Sequence, residues 1–453
     1  MKYAAYDNTK PSGVEWLGEI PAHWKVDRLK WSTRGNWNGI WGDEPNEIDD
    51  VICIRVADFD RERFTVMENP STWRAVEPSQ RKNRLLRSGD LLIEKSGGGE
   101  KQLVGCVVRF EGDYTAVCSN FVARVPTASG QHSRYWAYLH SAIYASRLNY
   151  PAIKQTTGIQ NLDAGEYFNI SAAYPSFDEQ QAIACFLDAK TAQIDTLVAK
   201  KRQIIDKLTE KRSALIARAV TRGLPPEAAK AAGLEPNPEM KASGIDWLGL
   251  APSHWVVKAI KWESPVQRGA SPRPIDDPVY FDDEGEYAWV RISDVTAAGM
   301  YLERTEQRLS DIGSSLSVKM EPGSLFLSIA GSVGKPCITK IKCCIHDGFV
   351  YFPRWKGDPR FLFYIFASGE PYKGLGKMGT QLNLNTDTVG SIVIGVPPSA
   401  EQSAIADFLD SETSMLDGLI GNVESAIDRL TEYRQALITS AVTGKIDVRE
   451  IAA

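Results

Sequence analysis

The sequence predicts an α+β protein made twice over: two tandem mixed α/β domains with irregular loops, separated by two long helices packed as an antiparallel coiled coil, with an internal pseudo-two-fold repeat. Three observations predict it. A tryptophan-rich block that opens near residue 12 returns near residue 243, and a heptad-bearing block near residue 179 returns near residue 401. The stretches between them are short strand-like runs that differ between the copies. A chain of 453 residues also exceeds what one hydrophobic core organises, so more than one domain is expected.

The opening block justifies the duplication. Ser12-Gly-Val-Glu-Trp16-Leu-Gly-Glu-Ile-Pro-Ala-His23-Trp24, running on to Leu29-Lys-Trp31, returns as Ser243-Gly-Ile-Asp-Trp247-Leu-Gly-Leu-Ala-Pro-Ser-His254-Trp255, running on to Ile260-Lys-Trp262. The offset is 231 throughout, Trp247 against Trp16, so the copies align without gaps. A packing role is expected for the six tryptophans, and a structural one for His23 and His254.

The second block predicts the helices. Glu179-Gln-Gln-Ala-Ile-Ala-Cys-Phe186-Leu187-Asp188 corresponds to Glu401-Gln-Ser-Ala-Ile-Ala-Asp-Phe408-Leu409-Asp410, and the register holds from Lys207 to Ile216 against Arg429 to Ile438. The offset there is 222, Glu401 against Glu179. Leu187, Ile194, Leu208 and Leu215 recur by sevens, joined by Leu197 and Ile204; the copy has Leu409, Leu416, Val423, Leu430 and Leu437, joined by Leu419. Heptads of this kind mark helices that pack along their length. Lys201 stands where Val423 stands and reads as a lysine snorkelling from the seam. Helices of roughly 38 residues would span about 57 Å, the length of a spacer.

The middles read as strands such as Val51-Ile-Cys-Ile-Arg-Val and Val104-Gly-Cys-Val-Val, broken by Gly, Pro, Asn and Ser, with a short helix from Trp136 to Leu148. Only fragments repeat, such as Ile54-Arg55-Val-Ala-Asp58 against Val290-Arg291-Ile-Ser-Asp294 and Gly158-Ile-Gln160 against Gly379-Thr-Gln381. Like ends and unlike middles suggest one architecture serving two targets, with neutral drift after duplication as the plain alternative. The expected domains are 1–178, a helix over 179–222, a proline-rich linker over 223–242, a second domain over 243–400, a helix over 401–446 and a tail over 447–453.

Composition narrows the class. Hydrophobic content of 43% with 24% charged residues is that of a soluble globular protein, and no apolar run suits a bilayer or a signal peptide, so no membrane partner and a cytoplasmic location are expected. Seven cysteines without a CxxC pair argue for reduced thiols. A net charge of -5 runs against a simple nucleic-acid binder, since phosphate contacts need clustered Lys and Arg. Either the basic residues are concentrated locally or partner proteins supply part of the grip.

Catalytic patterns fail one by one. Gly331-Ser-Val-Gly334-Lys335 lacks phosphate-loop spacing, with Ile329 where a glycine and Pro336 where a hydroxyl belong. Asp90 with Glu94-Lys95 lacks the nuclease Glu-x-Lys spacing, and Cys337, Cys343, Cys344 and His346 read as buried thiols beside a histidine, so no metal site is expected. An Asn/Asp-Pro-Pro-Tyr/Phe segment and a helicase-type ATP site are both missing from the sequence. The pattern is that of a chain that recognises and does not react.

The repeated Ser-Gly-Val/Ile-Glu/Asp-Trp-Leu-Gly…Pro-x-His-Trp ends, variable middles and closing Glu-Gln…Ile-Ala-x-Phe-Leu-Asp helices resemble the specificity subunits of type I restriction-modification systems, over nearly the whole chain and in the family's order. The resemblance implies two target recognition domains, each reading half of a split, asymmetric site on double-stranded DNA. It implies helices that set the gap and dock two modification (methyltransferase) subunits, and two restriction (translocase) subunits that join for cleavage. Cofactors are then expected in the partners alone: S-adenosylmethionine, ATP and Mg2+. A scaffold without DNA and a catalytic nuclease or methyltransferase stay open as alternatives.

Base reading needs donors and acceptors on loops. In the first domain the candidates are Lys95, Ser96, Lys101 and Gln102 around the glycine run, with Lys154, Gln155, Thr157 and Gln160. In the second they are Ser328, Ser332, Lys335, Lys377, Thr380, Gln381 and Asn383. Arg81 and Arg84, with Lys82 and Arg87, read as phosphate contacts or as a solvated basic face.

Overall fold

The computed structural model describes residues 3–99, 102–156, 158–373, 375 and 384–449. Two long helices organise it, Phe177–Arg222 and Ser399–Val442. Each opens behind a proline (Pro175, Pro398) with acidic side chains in its first turn, where the helix dipole favours them. Each closes near a left-handed glycine, Gly223 at φ 78° and Gly444 at φ 72°. The chain divides into two compact units, Met1–Lys201 with Ser425–Ala453, and Arg202–Glu424, so each unit takes half of both long helices.

In the first unit a six-stranded sheet runs in the order Trp37–Asn38, Val122–Val125, Leu91–Glu94, Val107–Arg109, Thr65–Val66, Phe59–Asp60. Beside it Asp50–Ile54 lies between Ala116–Cys118, paired parallel (Cys53 opposite Val117), and Trp73–Ala75. A hairpin, Ile153–Thr156 with Ile159–Leu162, adds Ser96–Gly97 at its edge. The main core gathers Trp24, Leu29, Ile93, Tyr135, Trp136, Leu139, Tyr167 and Phe168 against Ile183, Leu187 and Ile194 of one long helix and Leu437, Ile438 and Val442 of the other.

Among its described residues the second unit repeats the plan. A five-stranded sheet runs Gln267–Arg268, Phe349–Tyr351, Leu325–Ser328, Pro336–Thr339, Tyr301–Leu302; a four-stranded one runs Gln307–Leu309, Tyr287–Val290, Cys343–Ile345, Val318–Met320, again with a parallel pair (Trp289 opposite Cys344). Its core places Trp255, Ile260, Phe361, Ile365 and Val389 against Ile216, Ala219 and Val220 of the first long helix and Ile405 and Leu409 of the second. The segment between Gly223 and Ala242 contains a helical turn, Pro226–Ala231, and a strand, Met240–Ala242, which pairs with Leu250–Pro252.

The helices run antiparallel: Arg434 meets Asp195 in the first unit and Arg212 meets Asp417 in the second. The seam corrects the heptad reading. Leu187, Ile194, Leu409, Leu416 and Leu437 are buried, and Leu208, Leu215, Val423 and Leu430 are half-buried, but Leu197, Ile204 and Leu419 are 43%, 46% and 45% exposed. A seven-residue repeat drifts by about 20° per heptad around a straight helix. Contact therefore passes from Leu187 and Ile194 to Ile216, Ala219 and Val220 on the first helix, while the positions three residues on face outward.

Candidate DNA-recognition surface

Each unit is held together at its root by one buried carboxylate. In the first, Glu179 Oε1 accepts from the indole N–H of Trp24 (3.0 Å) and from the Tyr6 hydroxyl (2.7 Å), while Oε2 lies 2.8 Å from His23 Nε2. In the second, Glu401 takes the indole N–H of Trp255 at 3.0 Å and lies 2.8 Å from His254 Nε2. The two duplicated blocks thus meet each other, which is why both repeat. Tyr138 donates to Asp188 (2.6 Å) as Tyr364 does to Asp410 (2.6 Å), and Gln180 and Gln402 each donate to a proline carbonyl, Pro175 and Pro397. These groups are structural, as expected of the histidines. The tryptophans split: Trp24 and Trp255 are buried, whereas Trp31 and Trp262 are 62% and 75% exposed, against the packing role expected of all six.

On this frame the first domain carries a cleft of about 860 Å³. Exposed apolar surface comes from Trp41, Phe121 and Ile159, with the Arg74 guanidinium 4.7 Å over the Trp41 ring. Its floor is Glu94, 1% exposed, which ends its strand and accepts from Arg61 Nη2 at 2.9 Å. Burial pushes the Glu94 carboxyl above the ordinary glutamate range, with Arg61 pulling the other way. Gln102, its amide oxygen turned inward, accepts from Arg61 Nε at 2.6 Å. The wall is the glycine run: Gly98 sits at φ 66°, and a Cβ there would come within 2.8 Å of the Gln102 carbonyl and the Val104 nitrogen, so only glycine fits.

Two sequence candidates, Ser96 and Gln102, line this cleft. Ser96 donates to Asn161 (2.6 Å) and Gln102 is exposed; outside the lining, Lys95 reaches Asn38 (2.5 Å) and Gln155 is exposed. Lys154 pairs with Asp163 at 2.6 Å and is exposed. Gln160 is corrected to a supporting role: it is 4% exposed, and its amide accepts from Val104 N and donates to the Gly99 carbonyl. Arg81 and Arg84 spend their guanidinium groups on main-chain carbonyls, Val76 and Asp49 for the first, Asn38 and Gln80 for the second. Lys101 and Thr157 lie outside the described residues.

The second domain carries a cleft of about 780 Å³ with different chemistry, lined by Asp276, Asp282 and Asp283 beside Arg291, Gln307, Trp289 and His346. His346 Nδ1 accepts from Gly348 N at 2.8 Å, and burial lowers its pKa, so the ring is neutral. Ser332 and Lys335 do not reach this cleft. They line a separate cavity of about 910 Å³ with Arg212, Tyr301 and Asp410, where Lys335 donates to the Thr296 carbonyl (2.8 Å). Ser328 is fully buried and hydrogen-bonded to the Ser332 carbonyl, so it supports that turn and is corrected as a reader. Lys377, Thr380, Gln381 and Asn383 lie outside the described residues.

Two residues missed as candidates sit at equivalent positions in the two clefts. Arg55 and Arg291 each open a Arg-x-x-Asp turn in which the aspartate accepts the arginine main-chain N–H at 2.8 Å (Asp58, Asp294), leaving each guanidinium partly exposed at its cleft. The repeated fragments around them were the available signal. Among the described residues no group of three or more His, Cys, Asp or Glu side chains could hold a metal ion, and no helix is long and apolar enough to cross a membrane. Six cysteines are buried and free, and Cys185 is exposed.

Residues 264–426 match the family model described as the type I restriction modification DNA specificity domain. The specificity subunit of the type I restriction enzyme EcoKI of Escherichia coli (strain K12) is 22% identical over 380 residues, covering 79% of this chain and 75% of its own. Two solved structures share the fold. One, from work on complex assembly and conformational transition of the type I R-M system, covers 93% of this chain and 98% of its own at 16% identity and a TM-score of 0.70. The other, the HsdS subunit from Thermoanaerobacter tengcongensis, covers 94% and 98% at 15% identity and a TM-score of 0.53.

Proposed function

We propose, from the premise that this chain belongs to the family of type I restriction-modification specificity subunits, that its two domains each read one half of a bipartite, asymmetric DNA site. Family membership makes it the non-catalytic DNA-recognition component of such an enzyme. The observation that carries the finer reading is the pairing of like frames with unlike clefts. The Glu179 and Glu401 clamps agree in both shared distances, while one cleft is aromatic with Arg61 and Gln102 and the other holds three aspartates with Arg291 and His346. Two equivalent readers with different side chains give two different half-sites.

The long helices are then the ruler between half-sites, and two modification subunits and two restriction subunits supply the chemistry, with S-adenosylmethionine, ATP and Mg2+ bound in those partners. Acidic balance fits a subunit whose partners share the phosphate neutralisation. The deciding experiment exchanges residues 25–178 for those of a related subunit and maps N6-methyladenine in the host DNA. One half of the motif should change and the other persist; a change in both halves, or in neither, overturns the reading. Inserting one heptad in a long helix, about 10 Å, should lengthen the gap by up to about three base pairs without altering either half-site.

A further inference from the structure

Each cleft is lined by the two residues that follow a parallel strand pair. In the first unit Ile54 lies opposite Cys118, and Arg55 and Ser119 come next; in the second Val290 lies opposite Ile345, and Arg291 and His346 come next. Ser119 and His346 occupy one place in the frame. A Cβ on Gly39 would come within 2.1 Å of the Ser119 carbonyl oxygen, and one on Gly269 within 2.2 Å of the His346 carbonyl oxygen. Gly39 N donates to the Val122 carbonyl at 2.9 Å, as Gly269 N does to that of Phe349 at 3.0 Å. The main chain is therefore held alike around this place in both units. The arginine beside it is also the same, whereas the residue itself differs.

Both residues bring an unpaired polar group to the cleft wall. Ser119 is 1% exposed, and among the described residues its hydroxyl has no hydrogen-bond partner. His346 Nδ1 accepts from Gly348 N at 2.8 Å, which places the ring proton on Nε2, and that Nε2–H has no hydrogen-bond partner among the described residues. The ring is held in place. It packs on Phe349 and Trp289, with ring centres 4.6 and 5.9 Å away, and Gly348 passes so close that a Cβ there would come within 2.4 Å of Cε1. A donor fixed at a DNA-reading cleft selects an acceptor on a base edge. Arg291 in the same cleft suits the O6 of guanine and its aspartates suit the N6 amino group of adenine, and beside either group a purine carries the acceptor N7. A hydroxyl donates or accepts, so serine at the same place is the more tolerant reader.

We propose that the place held by Ser119 and His346 is a specificity-determining position of each domain, and that His346 donates through Nε2–H to the N7 of a purine in the second half-site. This rests on the reading above, in which each domain reads one half-site. The test uses the full chain assembled with its modification subunits. The N6-methyladenine motif is mapped first, and the second half-site is the one that persists when residues 25–178 are exchanged. Affinity is then measured on duplexes carrying a 7-deazapurine at each purine of that half-site in turn. One such change should weaken wild-type binding about 5- to 10-fold, since it replaces the N7 acceptor with C–H. His346→Ser should lose that sensitivity and accept other bases at the same position, with the first half-site unchanged, while His346→Gln, which keeps a donor, should retain the preference. A His346→Ser complex still sensitive to the same 7-deazapurine overturns the proposal. So does a wild-type complex indifferent to all of them, a result that needs no variant to fold. A wild-type complex with no split motif overturns the functional reading, whereas a split motif without 7-deazapurine sensitivity overturns this assignment alone.

Discussion

The roots of the two units and their clefts have diverged to very different degrees. At the roots, Trp24, His23 and Glu179 reproduce Trp255, His254 and Glu401, with both shared distances the same, 3.0 Å and 2.8 Å. At the clefts, Trp41, Phe121 and Ile159 line one where Asp276, Asp282 and Asp283 line the other. A buried carboxylate with two donors cannot lose one partner without leaving the other unsatisfied, so the root tolerates little. Side chains at a cleft face water and can change while the strands beneath keep their pairing. The lesson is that the interior frame constrains the two halves alike and the surface lets them differ.

The sharpest way to break that comparison is at Arg61, whose partner Glu94 ends a strand that ends in Ser328 in the second unit. Arg61→Ala strands the buried Glu94 carboxylate, and a loss of about 3–5 kcal/mol is expected from chemical denaturation at pH 8. Because burial raises the folded-state pKa of Glu94, the folded chain holds a proton to higher pH than the unfolded one, so stability falls as pH rises through that window. Removing Arg61 extends the window upward. The defect should shrink as pH falls towards 5, and an equal defect at both pH values would show that Glu94 is not the cause.

Next in size are the seams. Ile194→Ala and Leu416→Ala occupy equivalent buried positions, 8% and 1% exposed, and should each cost about 2–4 kcal/mol, whereas Leu197→Ala and Leu419→Ala should cost less than about 1 kcal/mol. Large losses at the latter pair would restore the coiled-coil seam drawn from the heptads.

The roots supply a test of equality. Glu179→Ala and Glu401→Ala should each cost about 2–3 kcal/mol in thermal melts, since each orphans a buried indole N–H, with the Glu179 loss the larger by up to about 1 kcal/mol because it also strands the Tyr6 hydroxyl. A larger loss at Glu401 would mean the two frames are not equivalent.

The smallest expected effect separates the helix ion pairs. Arg434 holds Asp195 through two contacts (2.8 and 3.2 Å), donates to the Glu62 carbonyl (2.6 Å), caps the Phe64 ring and is 11% exposed. Arg212 meets Asp417 at 3.0 Å and is 36% exposed. Arg434→Ala should cost about 2 kcal/mol and Arg212→Ala about 0.5 kcal/mol or less. Equal values would make Arg434 a surface pair like the other.

By itself the sequence determined the duplication, the two long helices, the unlike middles and the structural standing of His23 and His254, because repeats and apolar periodicity are local properties that read directly along a chain. The clefts were decided only by tertiary structure. Trp41, Arg55, Arg61, Glu94, Gln102, Phe121 and Ile159 are scattered over more than a hundred positions and converge through strand pairings that no local pattern reports. The same holds for burial within a repeated motif. Gln160 and Ser328 look like readers until the Gly99 and Ser332 main chain closes over them, and Trp24 and Trp31 look alike until one ring turns inward onto Glu179 and the other stays largely exposed beside Lys30. A side chain's type limits what it can bind, but which face of its turn meets the core depends on elements far away in sequence, and that is settled only when they pack.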